Sequence, residues 1–256
     1  MIERAHTLHG YQLRSRDGDI GSVRDFYFDD RYWSIRYLVA NTGNWLSGRQ
    51  VLISPYALRD VINERHEISV AMTKAQIEAS PSPESDKPVS RQFENSYFGF
   101  FGWQPYWTGP YRWGASPDIP RGGEELKAAD PHMKDWNAHL RSTSKVSGYH
   151  IRALDGEIGH VVDFLVDVDS WAIRYLIVDT HNWWPGGKVL VAPEWISNVS
   201  WDESKVHVDL SRDDLKQSPP YPVESPLTRD YEMRLHEHYR RPGYWGDEAA
   251  VVAHTT

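Results

Sequence analysis

The chain contains nearly the same sequence twice, and this duplication limits what it can fold into more than any other feature. Residues 10–58 and 148–196 align without a gap, and 23 of the 49 aligned positions are identical, so adding 138 to a residue number gives its counterpart. The match extends beyond these ranges, because Tyr106 corresponds to Tyr244. A repeat of this length is a duplicated domain rather than a solenoid unit of about 20–50 residues. We therefore expect two domains of one fold.

Each copy has the pattern of a series of short antiparallel strands. In the first copy, alternating residues at 11–15 and 20–29 flank Asp17 and Gly18, and Asp-Gly between such runs is typical of a hairpin. Gly21 follows, and we interpret it, like Gly159 in the second copy, as a β-bulge. Further strands are predicted at 33–41, 49–54, 60–64 and 67–71. The pattern favours a mainly β fold of two tandem small closed antiparallel β-barrels related by a pseudo-twofold axis.

Short helices and a linker are expected around the barrels. Thr73 with Gln76 and Ser211 with Asp214 match the capping-box pattern of a helix start. The predicted organisation is a first barrel at 1–80, a linker at 81–129, a second barrel at 130–218, and a C-terminal helix and tail at 219–256.

Three further segments outside the barrels have recognisable patterns. Apolar residues spaced by four predict helices that pack on a sheet; they are Val89, Phe93 and Tyr97 in the linker and Leu227, Tyr231 and Leu235 in the tail. A further helix is predicted from Asp130 through Trp136 to Leu140. The aromatic and glycine-rich run at 93–114 contains too much glycine and proline to sustain a helix or strand, so we expect it to lie over a barrel as an irregular cover.

A hairpin that turns at Asp30 and Arg31 predicts a specific strand pairing. Paired residue numbers would then sum to about 61, which places Asp25 opposite Arg36. In the second copy the sum becomes about 337, and Asp163 falls opposite Arg174. We interpret both charged pairs as structural cross-strand pairs that set the register.

The composition excludes several classes of function. The net charge of −8 disfavours DNA, RNA and anionic membrane surfaces as partners. There is no cysteine, and no apolar run long enough to span a membrane or to form a signal peptide, so we expect a cytoplasmic protein. Phosphate-binding loops and nucleophile elbows are absent from the sequence, which predicts no catalytic residues and no cofactor.

The acidic and histidine clusters do not have metal-site spacing. His236 and His238 lack the i, i+4 spacing of a helical zinc site, and we expect them on a solvated helix face. Asp163, Asp167 and Asp169 lack the glycine that follows in a calcium loop. No metal is predicted.

Two equivalent loops are candidate interaction sites because they place indole rings beside a basic residue. Their residues are Asn44, Trp45 and Arg49 in the first copy and Asn182, Trp183, Trp184 and Lys188 in the second. In the alternative interpretation, each tryptophan folds back and plugs one end of its barrel.

The motifs DGEIGHVVDFLVD, WAIRYLIVDT and GGKVLVAP, with their first-copy equivalents, resemble the PRC-barrel domain. That family takes its name from the cytoplasmic part of the photosynthetic reaction centre H subunit and includes the C-terminal domain of a ribosome maturation factor. The resemblance covers about 10–80 and 147–218, and the tandem arrangement is most similar to stand-alone bacterial two-barrel proteins. It implies a module that contacts other proteins and does not catalyse a reaction.

The expected function is therefore an interaction, scaffold or assembly module with a protein partner, and a homodimer is also expected because symmetric dimers are the commonest oligomers. One alternative is a small-ligand-binding protein or enzyme with a site at the barrel–barrel junction. Another, by analogy with the family, is an accessory factor of photosynthetic reaction centres or of RNA processing.

Overall fold

The computed structural model describes residues 1–47, 49–82, 89–120, 140–180 and 187–246. The first copy contains β1 (Ile2–Arg4), α1 (Ala5–Leu8), β2 (Gln12–Ser15), β3 (Gly18–Asp29), β4 (Ser34–Asn41), β5 (Val51–Ile53), β6 (Leu58–Ile62), β7 (Glu67–Val70), α2 (Lys74–Ala79) and α3 (Arg91–Phe101). The second contains β8 (Leu140–Ser142), α4 (Thr143–Val146), β9 (His150–Ala153), β10 (Gly156–Asp167), β11 (Ala172–Asp179), β12 (Lys188–Val191), β13 (Ile196–Ser200), β14 (Lys205–Val208), α5 (Arg212–Lys216) and α6 (Arg229–Tyr239). The expected mainly β fold with short helices is confirmed.

The first hairpin of each copy forms as the sequence predicts. Strand β2 pairs with β3, with Ser15 opposite Gly18, and the register shifts at a bulge next to Gly21. Gly21 has φ +118°, and a Cβ atom there would lie 2.0 Å from the carbonyl oxygen of Asn41. Only glycine fits such a close approach of two backbones. In the second copy Gly159 stands in the same relation to the carbonyl oxygen of Asp179, also at 2.0 Å.

The strands form an open path rather than closed rings. Hydrogen bonds join fourteen strands, ten of them in the order β13-β14-β9-β10-β11-β4-β3-β2-β7-β6. The other four pair beside this path, β1 with β10, β5 with β4, β8 with β3 and β12 with β11. In the first copy the ends of the path, β5 and β6, are consecutive in the chain and are joined by the 3-10 turn Pro55–Ala57. The predicted closure is therefore not present as a hydrogen-bonded ring, because a turn that begins with proline interrupts the ladder at that corner.

The chain divides into two compact units, each of which is discontinuous in sequence. The first unit contains residues 3–146 together with 164–174, and the second contains 147–163 with 175–256; Met1 is assigned to the first and Ile2 to the second. Within the first unit, the amide of Ile35 donates to the carbonyl of Trp171 at 2.8 Å, and the amide of Ile173 donates to that of Trp33 at 2.7 Å. These two bonds are equivalent under the offset of 138. The segment 164–174 is therefore an integral part of the first unit.

The register of the β3–β4 hairpin differs from the prediction. Observed pairs have residue numbers that sum to 63 or 64, with Asp25 opposite Val39 and Phe28 opposite Ile35. Two bulges shift the register, and the turn extends to Trp33, which adopts a left-handed φ of 48°. The predicted sum of 61 was wrong because the turn is longer than two residues.

An equivalent helix follows the strands of each copy. Ser90 is the N-cap of helix α3, where its hydroxyl accepts from the amide of Phe93, and Gly102 is the C-cap in the left-handed conformation. Thr228 and Arg240 cap helix α6 in the same way. The expectation that run 93–114 would not sustain a helix was wrong for residues 93–101, because this part buries Tyr97 and Phe98, tolerates Gly99 near its end and is terminated by Gly102 at the C-terminal cap. The helix predicted from Asp130 through Trp136 falls outside the described residues, and Leu140 lies in β8.

Candidate functional site: a buried carboxyl cluster and an aromatic patch

Helix α3 buries a glutamate against the sheet of the first copy. The Glu94 side chain is fully buried, and its Oε1 accepts hydrogen bonds from the hydroxyls of Tyr37 at 3.2 Å and Tyr106 at 2.7 Å. Tyr37 comes from β4 and Tyr106 from the segment after α3, so one oxygen connects three parts of the chain. A buried carboxyl needs such partners to offset the loss of hydration.

An arginine one turn earlier faces the same carboxyl. Arg91 Nη1 lies 2.9 Å from Glu94 Oε2, although the two atoms are not aligned for a hydrogen bond. The guanidinium lies over the ring of Trp107, 3.9 Å from its centroid. The arginine therefore contributes positive charge and cation–π packing to the cluster.

Burial controls the acidity of this cluster. It raises the pKa of Glu94 from 4.5 to about 7, against the opposing effect of Arg91 and the two tyrosine hydroxyls. Burial also raises the pKa of Tyr37 and of Tyr106 well above the usual tyrosine value. Both tyrosines therefore stay neutral donors, while the glutamate exchanges its proton near neutral pH.

The second copy rebuilds the same cluster at the equivalent positions. Glu232 Oε1 accepts from Tyr175 at 3.1 Å and from Tyr244 at 2.9 Å. Arg229 Nη1 lies 3.1 Å from Glu232 Oε2, and its guanidinium is 4.4 Å from the centroid of Trp245. In both copies, therefore, a glutamate on the helix bonds a tyrosine on the neighbouring strand, β4 in the first copy and β11 in the second.

One position in the cluster differs between the copies. His236 stands where the first copy has Phe98, and it is buried rather than on the solvated face that the sequence predicted. Its Nε2 lies 2.9 Å from the Tyr175 hydroxyl, and its Nδ1 lies 2.9 Å from the carbonyl oxygen of Pro242, which can only accept. The proton therefore sits on Nδ1, and the one hydrogen of the Tyr175 hydroxyl is shared between Nε2 of His236 and Oε1 of Glu232. Burial lowers the pKa of His236. The sequence prediction failed because the histidine occupies the inner face of α6.

The charged pair that sets the strand ends is not the one predicted. Arg36 Nε donates to Asp29 Oδ2 at 2.5 Å, and Arg174 Nη2 donates to Asp167 Oδ2 at 2.9 Å, so these two pairs are equivalent. Asp25 instead accepts hydrogen bonds from Ser142, Thr143 and Ser144. The predicted position of Asp163 opposite Arg174 stays a prediction.

Aromatic rings extend from the core to the surface at the end of α3. Tyr56 is buried, Trp103 stacks on it with ring centroids 5.5 Å apart, and Phe101 stacks on Trp103 at 4.5 Å. Phe100 meets Phe101 edge to face at 4.9 Å and leaves 47% of its own surface exposed. We call Phe100, Phe101 and Trp103 the aromatic patch. Because these rings pack on one another and on the buried Tyr56, they form an ordered apolar surface.

The loops predicted as interaction sites are only partly described. Asn44 is exposed, and Trp45 is half-buried with the Lys74 ammonium 4.8 Å from its ring centroid. The Arg49 guanidinium donates to the carbonyls of Glu78 and Ser80 at the end of α2. Lys188 is half-buried. The remaining residues, Asn182, Trp183 and Trp184, lie outside the described residues.

Sequence reasoning did not identify the carboxyl cluster. The available signal was the offset of 138, which continues through the helices and relates Arg91 to Arg229 and Glu94 to Glu232. Identity at these positions, outside the strands, marks residues that both copies need for packing. Within the described ranges, no group of three or more histidine or acidic residues could hold a metal ion. No helix in those ranges is both long and apolar enough to cross a bilayer.

The fold contains two copies of a small, mainly antiparallel β unit, in which β2 pairs with β7 and β9 pairs with β14 in parallel, and a helix follows each copy. Residues 1–77 match the family model of the PRC-barrel domain. A comparison of the chain with curated proteins found no match.

Proposed function

We propose that the protein is a non-catalytic interaction module and that the aromatic patch at the end of α3 binds a protein partner. The observation that carries this proposal is the exposure of Phe100 on top of a stack of rings that reaches the buried Tyr56. Exposing a phenylalanine ring to water costs free energy, and a partner surface that covers the ring removes this cost.

The construction of the patch favours recognition. Binding costs conformational entropy when side chains become ordered. Rings that are already packed in the free protein lose little further conformational entropy on binding. Trp103 and the two phenylalanines are also large apolar side chains of the kind that dominate binding energy at protein interfaces. The net charge of −8 favours a protein over a nucleic acid as the partner.

We also propose that the second copy is a PRC-type barrel in the cytoplasmic protein that the sequence predicts. The proposal is supported by the shared glycine at the bulge, the shared capping boxes and the shared carboxyl cluster. A crystal structure tests it, because residues 139–215 should superpose on residues 1–77.

Affinity capture with matched variants tests the interaction. Wild-type protein and Phe100→Ala are used as baits, and Leu154→Ala is the control because Leu154 is an exposed apolar residue elsewhere, with 71% of its surface accessible. The captured proteins are quantified by mass spectrometry. We expect at least one partner to bind wild type and Leu154→Ala and to be lost from Phe100→Ala, with unchanged circular dichroism.

A Trp45→Ala bait separates the patch from the predicted loop. A partner lost from Trp45→Ala and retained by Phe100→Ala would assign recognition to the loop. Identical captures by all four baits would refute a role for either surface.

A further inference from the structure

Arg36 is a buried cation with most of its donors unused. Its side chain has no exposed surface, and within the described part of the chain its one hydrogen bond runs from Nε to Asp29. Both terminal nitrogens, Nη1 and Nη2, lack a hydrogen-bond acceptor among the described residues. The described residues therefore offer no acceptor to four buried N–H groups of this guanidinium, a costly arrangement in a native protein.

A further orphaned donor lies next to this guanidinium. The Trp113 side chain is 1% exposed, and its Nε1 also lacks an acceptor in the described part of the chain. The Arg36 Cζ atom is 4.6 Å from the Trp113 ring centroid and 3.8 Å from that of Tyr106. The two rings stabilise the positive charge of Arg36 through cation–π contact. They do not accept its hydrogen bonds, because the N–H groups point outward in the plane of the guanidinium and the rings lie above and below that plane.

The surrounding charges favour a negative ligand for these donors. Two guanidiniums, Arg36 and Arg91, lie over the Tyr106 ring, at 3.8 and 5.7 Å from its centroid. They face two carboxyls, Asp29 and Glu94, and burial raises the pKa of Glu94 to about 7. When Glu94 is protonated, the group has one positive charge in excess.

The second copy handles the equivalent arginine differently. Arg174 uses Nη2 to donate to Asp167 at 2.9 Å and to Ser170 at 3.4 Å. Its terminal nitrogen is thus supplied with acceptors from the chain, whereas those of Arg36 are not.

From these observations we propose that Arg36 and Trp113 form a buried binding site for a small monovalent anion, of the size of a halide or formate. The guanidinium edge and the indole N–H donate to the anion, and the rings of Tyr106 and Trp113 enclose the guanidinium faces. The site belongs to the first copy alone, and neither of its proposed donors is part of the aromatic patch.

Thermal unfolding at pH 6 tests the site with sodium chloride and sodium formate as probes. Sodium gluconate at equal ionic strength is the reference, because that anion is too large for an enclosed site. We expect chloride and formate to raise the Tm in a saturable manner, by about 5–10 °C at 100 times the Kd. A Tm that depends only on ionic strength would overturn the proposal.

Variants locate the effect within the chain. Arg36→Met and Trp113→Phe should lose or weaken the anion-dependent rise, whereas Arg174→Met, the equivalent change in the second copy, should keep it. An equal loss in Arg174→Met would contradict the assignment to Arg36.

Diffraction from wild-type crystals grown in sodium bromide does not depend on any variant folding. An anomalous difference peak within hydrogen-bond distance of Arg36 Nη1 or Nη2 is the expected result. Density for a water molecule without anomalous signal at that place would refute anion binding.

Discussion

Helices α3 and α6 keep the same buried anchor but present different surfaces at their C-terminal ends. Phe100 of the first copy is exposed, whereas its counterpart His238 uses Nε2 to bond the carbonyl of Asp214 at 2.8 Å. Trp103 stacks in the aromatic patch, whereas its counterpart Arg241 donates to the carbonyl of Asp209 at 2.8 Å.

The difference separates two kinds of constraint on a duplicated sequence. The glutamate, the tyrosines and the arginine that fix the helix persist in both copies because each helix would otherwise bury unpaired polar groups. The residues beyond them have diverged. In the second copy these side chains bond to backbone carbonyls of the same copy, whereas in the first copy they are apolar rings, of which Phe100 is exposed.

The largest expected effect tests whether the two copies share the same backbone constraint. Gly21→Ala places a methyl group against the carbonyl of Asn41 and forces alanine to adopt φ +118°. We expect the free energy of unfolding to fall by about 3–5 kcal/mol, the sum of backbone strain and overpacking. Urea denaturation of Gly21→Ala and Gly159→Ala measures it. A loss in only one of them would show that the two bulges are not equivalent.

The next effect concerns pH and the carboxyl of the first copy. The pKa of Glu94 is about 7 in the folded protein against 4.5 when exposed, so the folded state holds a proton that the unfolded chain has released. The free energy of unfolding should therefore fall as pH rises from about 4.5 to 7 and then level off, a total of about 3 kcal/mol.

Glu94→Gln should remove this dependence, because its Oε1 still accepts from both tyrosines. Glu237→Gln, at an exposed carboxylate of α6, is the matched control and should follow wild type. Denaturation at pH 5 and pH 8 gives the comparison. Equal pH dependence in Glu94→Gln and wild type would contradict the buried titration.

A residue exchange tests the one difference inside the cluster. His236→Phe leaves the carbonyl of Pro242 without its donor and should cost about 1–2 kcal/mol of unfolding free energy. Phe98→His should cost at least as much, because it places an imidazole among the rings of Tyr56 and Tyr106. Chemical denaturation measures both. Stabilisation by either change would show that the copies tolerate the other residue.

The smallest expected effect concerns an arginine without a counterpart in the second copy, where Gly187 stands. Arg49→Ala removes the donors to the C-terminal carbonyls of α2 and should cost about 0.5–1 kcal/mol, with faster amide exchange in that helix. Partner capture should be unchanged. Loss of the partner with α2 intact would return Arg49 to the role that the sequence predicted.

Features encoded within a few residues were predictable from the sequence. The Asp17 turn, the bulge at Gly21 and the capping boxes at Thr73 and Ser211 all depend on local backbone chemistry. The periodic spacing of Phe93 and Tyr97 also indicated a helix, although the glycine-rich run that follows argued against it.

Features that depend on tertiary packing were not predictable. The hairpin register rests on Trp33 in a left-handed conformation, which is uncommon for a bulky residue and leaves no signal in the sequence. The burial of Glu94 and His236 depends on which helix face meets the sheet, and a polar residue on a helix gives no sign of that. The exposure of Phe100 likewise follows from the helix ending at Gly102.

The inclusion of residues 164–174 in the first compact unit affects how the protein can be dissected. A fragment that stops at Val146 lacks Trp171 and Phe164, two rings that contact Phe26 and Phe28 in the core. Such a fragment would expose this apolar surface to water and would aggregate or recruit a second molecule to supply the missing hairpin. Expression trials should therefore keep both halves on one polypeptide.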